Sequence, residues 1–482
     1  MRYGGESASH DIRVETGKMS PLWSKANKIH SGRYSQTISE NLKRYYRMTQ
    51  EDTAYGDAVI RKIIIRLMPF LLILYIVNYI DRVNLGFAAL TMNADLGITP
   101  AVYGLISGIF FIGYIAFEYP SNRLMERYGA RVWIPRILIS WGIVVVLLAF
   151  ARSAYDIGIL RVLLGIAEAG FYPGMIFYLS LWLRCKDLAK CLSYIFSAQI
   201  FALIIGAPLS TLILDHITWF DMASWRWLFI LEGLPAIILG IVSYQYLTNR
   251  PEEATWLDTK EKEWLIQTLK EEKRPECIHT PRKVTWFFRQ AWFNRFWIAY
   301  FLEMCAGYSM IFWLPQIIHS LQFTSSHTMV GCISAIPYLG SLVGMVLLAR
   351  HSDKTNERKY HLIFAWLLAG AGFLGDAFAG DPIISLLCIT IAMMGIYAGL
   401  PIFWAIITER MGQIDSSGGI ALLNAIATSG GFFGPLLMGI FVSGSGKIDA
   451  IPALVTYGGF MIIAVILVTW NFQNWEHSIT NK

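Results

Sequence analysis

Twelve runs of largely apolar residues divide the chain, near 64–91, 102–124, 131–151, 155–183, 190–214, 226–247, 292–318, 326–349, 360–379, 382–409, 416–443 and 450–472. A helix crosses the hydrocarbon layer of a bilayer with about 20 such residues. The first six and the last six runs are similarly spaced, and the longest polar connection falls between them. The pattern predicts an all-α membrane protein of twelve transmembrane helices in two six-helix pseudo-symmetric halves. The expected organisation is a polar tail over 1–57, a bundle over 58–248, a linker over 249–290, a second bundle over 291–476 and a short tail over 477–482. The tail lacks an apolar segment near its start, so no cleavable signal is visible and the first apolar run is read as the insertion signal.

Composition sharpens this picture. Hydrophobic residues are 55% of the chain and charged residues 15%, against roughly 25% charge in soluble domains. The net charge of +6 sits in short loops between apolar runs, which points to membrane topology and away from nucleic acid. Arg123, Arg127, Arg131, Arg184, Lys186, Lys190, Arg350, Lys354, Arg358, Lys359 and Arg410 all fall in even-numbered connections, where the linker is also basic. The odd set has little beyond Arg152, Arg226 and Lys447. By the positive-inside rule both termini are cytoplasmic. The six cysteines (Cys185, Cys191, Cys277, Cys305, Cys332, Cys388) show no paired spacing, and neither a disulfide framework nor a metal site is read from them. In the linker, Asp258-Thr-Lys-Glu261 resembles a capping box. Trp264, Leu265, Thr268 and Leu269 follow at helical spacing, predicting an amphipathic surface helix.

Charges inside the apolar runs carry the candidate chemistry, because an ionisable group in a bilayer is costly and needs a partner or a function. Asp81 and Arg82 stand in the first run. Arg161 and Glu168 stand two turns apart in the fourth, on nearly the same helix face. A carboxylate there can load a proton, since loss of water favours its neutral form and a nearby guanidinium its charged form. An arginine is the natural counter-charge for a carboxylate ligand. A static network holding helices together is the competing reading. Glu118 and Glu232 are read as structural, the latter as packing or hinge, and Glu303 stays open between packing and transport. His216, His319 and His327 lie near helix ends, and Gly206-Ala-Pro208 and Gly434-Pro435 are read as kinks.

Longer stretches bring a resemblance. Asn122-Arg-Leu-Met-Glu-Arg-Tyr-Gly-Ala-Arg131 is similar to the cytoplasmic loop motif of the major facilitator superfamily, with Glu126 where Asp is usual, and Ser352–Lys359 resembles its echo in the second half. Tyr79-Ile-Asp-Arg-Val-Asn-Leu-Gly86, Glu118-Tyr-Pro-Ser-Asn122, Arg161–Gly174, Trp225–Pro235 and Asn249–Leu257 resemble the anion:cation symporter family within it. The likeness covers about 58–475 and implies the major facilitator fold. It also implies proton-coupling carboxylates at Asp81 and Glu168, a substrate counter-charge at Arg82, and pairing of Arg161 with those carboxylates. Tyr79, Tyr114, Gln199, Trp404 and Asn424 would line the substrate cavity. Glu126, Arg127, Arg131, Asp353 and Arg358 would form a cytoplasmic gate that locks helix ends. Pro401 departs from members that have a small hydroxyl residue there.

The family carries tartrate, aldonates and related sugar acids, and also hydroxyphenylacetate and phthalate. The expectation is a multi-pass plasma-membrane transporter taking up a small hydroxy or sugar acid with protons, with no cofactor, no nucleic acid and no required oligomer. The alternatives are an aromatic-acid permease, an anion exchanger and, outside transport, a nutrient sensor. A membrane enzyme would need a catalytic cluster, and the sequence offers none.

Overall fold

The computed structural model describes the backbone of residues 33–272, 283–411, 416–442 and 450–480, and the side chains of most of these from residue 53 onward. The chain divides into two compact units, Met1–Lys62 and Ile63–Lys482. The described part of the first is helical from Arg33, well inside the stretch read as a tail. The second holds the helical bundle and its cavity.

Sixteen α-helices are found among the described residues, with no strand. In the first half they are α1 (Arg33–Asp95), α2 (Pro100–Tyr128), α3 (Ala130–Leu148), α4 (Ala154–Glu168), α5 (Phe171–Ser180), α6 (Cys185–His216) and α7 (Ser224–Tyr246). The connection carries α8 (Thr259–Glu272) and α9 (Val284–Phe288). The second half contains α10 (Ala291–Ser320), α11 (His327–Thr355), α12 (Lys359–Ala377), α13 (Pro382–Met411), α14 (Ser416–Thr428), α15 (Gly430–Phe441) and α16 (Ile451–Thr480). Twelve segments are long and apolar enough to cross a membrane, each matching one predicted run.

Two predicted runs are each split into two helices. The fourth breaks at Ala169-Gly170, where Gly170 adopts φ +84°. A side chain would be strained there, and a Cβ would stand 2.5 Å from Ser121 Oγ. The eleventh breaks at Ser429, between α14 and α15. Helix starts follow local chemistry elsewhere. Thr99 caps α2 just before Pro100, and Ser153 caps α4 by accepting from the Asp156 N–H at 3.2 Å. In the linker, the Glu261 N–H donates to Asp258 Oδ1 at 2.7 Å and the Asp258 N–H to Glu261 Oε2 at 2.9 Å, a reciprocal capping box. Leu265 is buried, and the Arg184 guanidinium lies 5.8 Å from the Trp264 ring, so this amphipathic helix rests against the start of α6. The five described cysteines are free thiols, and Cys277 lies outside the described residues.

The basic connections all fall at one end of the spanning helices, here the basic end. The two halves meet toward the other, far end. There α2 and α15 approach so closely that a Cβ on Gly104 would stand 2.5 Å from the Pro435 carbonyl oxygen, and one on Gly439 would stand 2.5 Å from that of Pro100. Small residues are what let two membrane helices pack at backbone contact. A second seam joins α6 to α11. Asp215, at the end of α6, accepts from Ser326 Oγ (2.8 Å), the His327 N–H (3.2 Å), and the Thr328 N–H and Oγ1 (both 2.7 Å), and meets His327 Nδ1 at 2.7 Å. A carboxylate of one half thereby caps a helix N-terminus of the other, where the helix dipole favours negative charge.

Asp215→Ala leaves those donors without their acceptor, a loss of about 1–3 kcal/mol, or roughly fivefold or more in opening of the seam. A cysteine replacing the buried Thr211, in a background lacking the exposed Cys185 and Cys332, should then react several-fold faster with a water-soluble maleimide. Equal rates with and without Asp215 would show that this cap does not hold the far end shut.

Candidate functional site

Between the halves, on the basic side of both seams, lies a cavity whose walls come from α1, α2, α5, α6, α10, α13 and α14. Helical periodicity explains which residues face it. On α1, Tyr75, Asn78, Tyr79 and Arg82 recur at i, i+3, i+4 and i+7. On α10, Tyr300, Glu303, Met304, Gly307, Tyr308 and Ile311 form one continuous stripe. The six predicted substrate residues, Arg82, Tyr79, Tyr114, Gln199, Trp404 and Asn424, all line this one cavity.

One lining residue, Arg82, belongs to a buried ion pair with Glu168, which itself is not among the lining residues. Arg82 is 8% exposed and Glu168 2%. Arg82 Nη2 donates to Glu168 Oε1, and Asn78 Nδ2 donates to the same oxygen at 2.7 Å. The guanidinium also lies over Tyr79 (5.1 Å), Phe110 (5.4 Å) and Tyr114 (5.5 Å), an aromatic collar that favours a cation stripped of water. Its Nε is buried without a hydrogen-bond partner. The break after Glu168 sets the end of α4 against α1 at this point.

Asp81 and Arg82 are neighbours in sequence, and a helix turns 100° per residue, so they face different surroundings. Asp81 does not line the cavity. Its Oδ2 accepts from Trp141 Nε1 at 2.8 Å, and its Oδ1 has no hydrogen-bond partner. The expected pairing of Arg161 with the carboxylates is corrected. Arg161 donates from Nη2 to the Ser107 carbonyl at 3.3 Å and lies over Phe110 and Phe312, with Nε and Nη1 unpartnered and no ion pair. Seven residues along α4 are about 10.5 Å, which carries Arg161 toward the far end, and no hydrogen bond or ion pair joins it to Glu168 among the described residues.

The five residues predicted to form a gate lie at the basic end, and among the described residues their bonds stay within their own half. Glu126 pairs with Arg123 at 2.8 Å and Arg127 lies over Tyr128. The Arg131 N–H donates to Asn249 Oδ1 at 2.9 Å and its Nε to the Tyr244 carbonyl at 3.1 Å. Asp353 sits in the last turn of α11, and Arg358 pairs with Glu409 at 3.2 Å. Beside them burial works to raise Glu357, but bonds from the Tyr360 N–H and the His361 ring hold its carboxyl below the usual glutamate range.

Glu232 accepts from Ser210 Oγ at 2.6 Å and ties α6 to α7 away from the cavity. Sequence reasoning left out Tyr75, Tyr172, Tyr300, Tyr308 and Tyr397 and left Glu303 open, although the stripe on α10 has a readable spacing. Pro401 is not among the lining residues, whereas Trp404, almost one turn on, is.

The sequence profile of the Major Facilitator Superfamily matches residues 71–325 and 297–478, which is nearly all of the spanning region. The chain belongs to the Major Facilitator Superfamily. The transporter is 40% identical over 411 residues, 85% of its own length and 90% of the other's, to a protein of Agrobacterium vitis named "Putative tartrate transporter". It is 33% identical to the inner membrane transport protein RhmT of Escherichia coli K12 over 421 residues, covering 86% and 96% of the two chains. A solved structure of the xylose transporter XylE from E. coli, in a partially occluded inward open conformation, matches with a TM-score of 0.67 at 15% identity. The match covers 84% of this chain and 98% of that one, and bears on the fold alone. The transporter is thus a multi-pass protein of the plasma membrane.

Removing one partner of a buried ion pair strands the other, at a cost of about 3–5 kcal/mol. Arg82→Ala should therefore lower the thermal unfolding midpoint of the purified transporter, and adding Glu168→Gln to it should recover part of the loss. Additive losses in the double variant would show that the pair is not coupled.

Proposed function

We propose that the transporter takes up a small organic carboxylate, a hydroxy or sugar acid such as tartrate or an aldonate, in symport with protons. The observation that carries this reading is the Arg82 guanidinium, which lines the cavity while bonded to Glu168. Glu168 and a substrate carboxylate compete for one counter-charge. Protonation of Glu168 releases Arg82 to the substrate, and substrate on Arg82 in turn keeps Glu168 protonated, so the two ligands travel together. Gln199, Asn424 and the tyrosine hydroxyls offer neutral hydrogen bonds suited to a hydroxylated anion. The name of the Agrobacterium vitis relative supports the same class.

Asp81 is the second proton site in this scheme, set behind α1 against Trp141, and Arg161 is a fixed charge that tunes the field between the halves. With the basic end and both termini cytoplasmic, the seams at α2–α15 and α6–α11 close the outer side, and the conformation is inward-open. Glu126, Arg127, Arg131, Asp353 and Arg358 would lock the cytoplasmic ends only when the cavity opens outward. The bundles over 58–248 and 291–476 then rock about the midplane site as one monomer.

A second reading, transport of an aromatic acid, is favoured by the rings of Tyr75, Tyr79, Phe111, Tyr114, Tyr308 and Trp404 around the cavity. Uptake into proteoliposomes from a panel of acids separates the two readings. With the transported acid, Glu168→Gln should abolish accumulation driven by a pH gradient while retaining exchange of labelled for unlabelled substrate. Normal accumulation by this variant would end the coupling scheme. Arg82→Ala should weaken binding at least tenfold, as loss of a charged hydrogen-bond pair does, and an unchanged affinity would remove Arg82 from the site.

A further inference from the structure

Five carboxylates are buried in the bundle among the described residues, and four of them have a partner. Asp81 has Trp141, Glu168 has Arg82 and Asn78, Glu232 has Ser210, and Asp376 accepts from Ser385 Oγ at 2.5 Å. Glu303 is 2% exposed, has no hydrogen bond or ion pair among the described residues, and lines the cavity. Burying a carboxyl without a partner is costly. A helix that only needed to pack would carry an apolar residue in that stripe. The group is instead aimed at the space that a ligand fills.

Glu303 also stands on the half opposite Arg82. Tyr308, five residues further along α10 and so about 7.5 Å along its axis, lines the same cavity as Arg82 and lies near enough to feel its charge. A short diacid held by one end on Arg82 would therefore bring its other end toward Glu303. The titratable groups that face Glu303 are Tyr300 and Cys305 on its own helix and Tyr397 of α13. No residue described in α11, α14, α15 or α16 bonds to it, and the cavity's arginine is already joined to Glu168. An ionised Glu303 would repel an anion, whereas a protonated one offers an O–H donor to it.

We propose that Glu303 is a specificity-determining residue that selects dicarboxylates: in its neutral form it donates a hydrogen bond to the second carboxylate of a substrate whose first carboxylate sits on Arg82. The inference rests on the reading of this cavity as the anion site. The proton on Glu303 stays on its carboxyl and is shared with the substrate oxygen, so no bond is made or broken beyond that hydrogen bond. The diacid bridges the two halves, whereas a monoacid engages only the first.

The test is calorimetric binding to the purified full-length transporter at pH 6 and pH 8, with tartrate and threonate, which differ in one terminal carboxylate. The parent should favour tartrate by about tenfold at pH 6 and by less at pH 8. Glu303→Leu should lose that preference while threonate affinity stays within about twofold. Glu303→Gln keeps a donor and should keep the preference at both pH values, which also shows that position 303 tolerates substitution. A preference for tartrate that survives Glu303→Leu, or an equal loss for both acids, overturns this inference and leaves the anion site standing. A parent that binds neither acid but binds an aromatic monoacid overturns the substrate reading and this inference with it.

Discussion

The ion pair between Arg82 and Glu168 is the constraint around which this transporter is organised. Each charge would be very costly alone in a bilayer interior, and together they are tolerable only because Asn78, the aromatic collar and each other replace the water they have lost. The pair joins α1 to the end of α4, and the helix break at Gly170 lies just beyond it. A pair that is buried but borders a cavity is poised in a way that a pair sealed in a core is not. A third charged group arriving in the cavity can rebalance it, and so can a proton.

The proposed switch would need a scaffold with two stable packings. The close approaches at Gly104, Gly439 and Gly331 bring the halves together at backbone distance on the far end, while Asp215 caps α11 across the same boundary. These contacts are short-range and polar or van der Waals in kind. They are either made or lost, and such interfaces behave as two-state elements. At the other end, the bonds described for Glu126, Arg131 and Arg358 stay inside their own halves.

The fold was legible in the sequence because the bilayer imposes a simple rule on length and polarity, and all twelve spans sit where the apolar runs predict. The positions of the breaks at Gly170 and Ser429 were not, because apolar composition is the same on both sides of each. For the site, the residue types were legible and their facing was not. Asp81 and Arg82 sit side by side in the sequence, yet only Arg82 reaches the cavity. Arg161 and Glu168 share a helix face, yet Glu168 bonds to Arg82 and Arg161 to the Ser107 carbonyl. Glu303 looked ambiguous in isolation. It gains meaning from the stripe of Tyr300, Met304, Gly307 and Tyr308 around it, a pattern that matters only once two halves are known to enclose a cavity.

The central claim is that substrate and Glu168 compete for Arg82, so that binding an anion loads a proton. The most direct measurement is the proton uptake that accompanies binding of a hydroxy monoacid at neutral pH, obtained by calorimetry in buffers of different ionisation enthalpy. The account predicts that the parent takes up about one proton more per molecule bound than Glu168→Gln does. Equal uptake by the two proteins would contradict it.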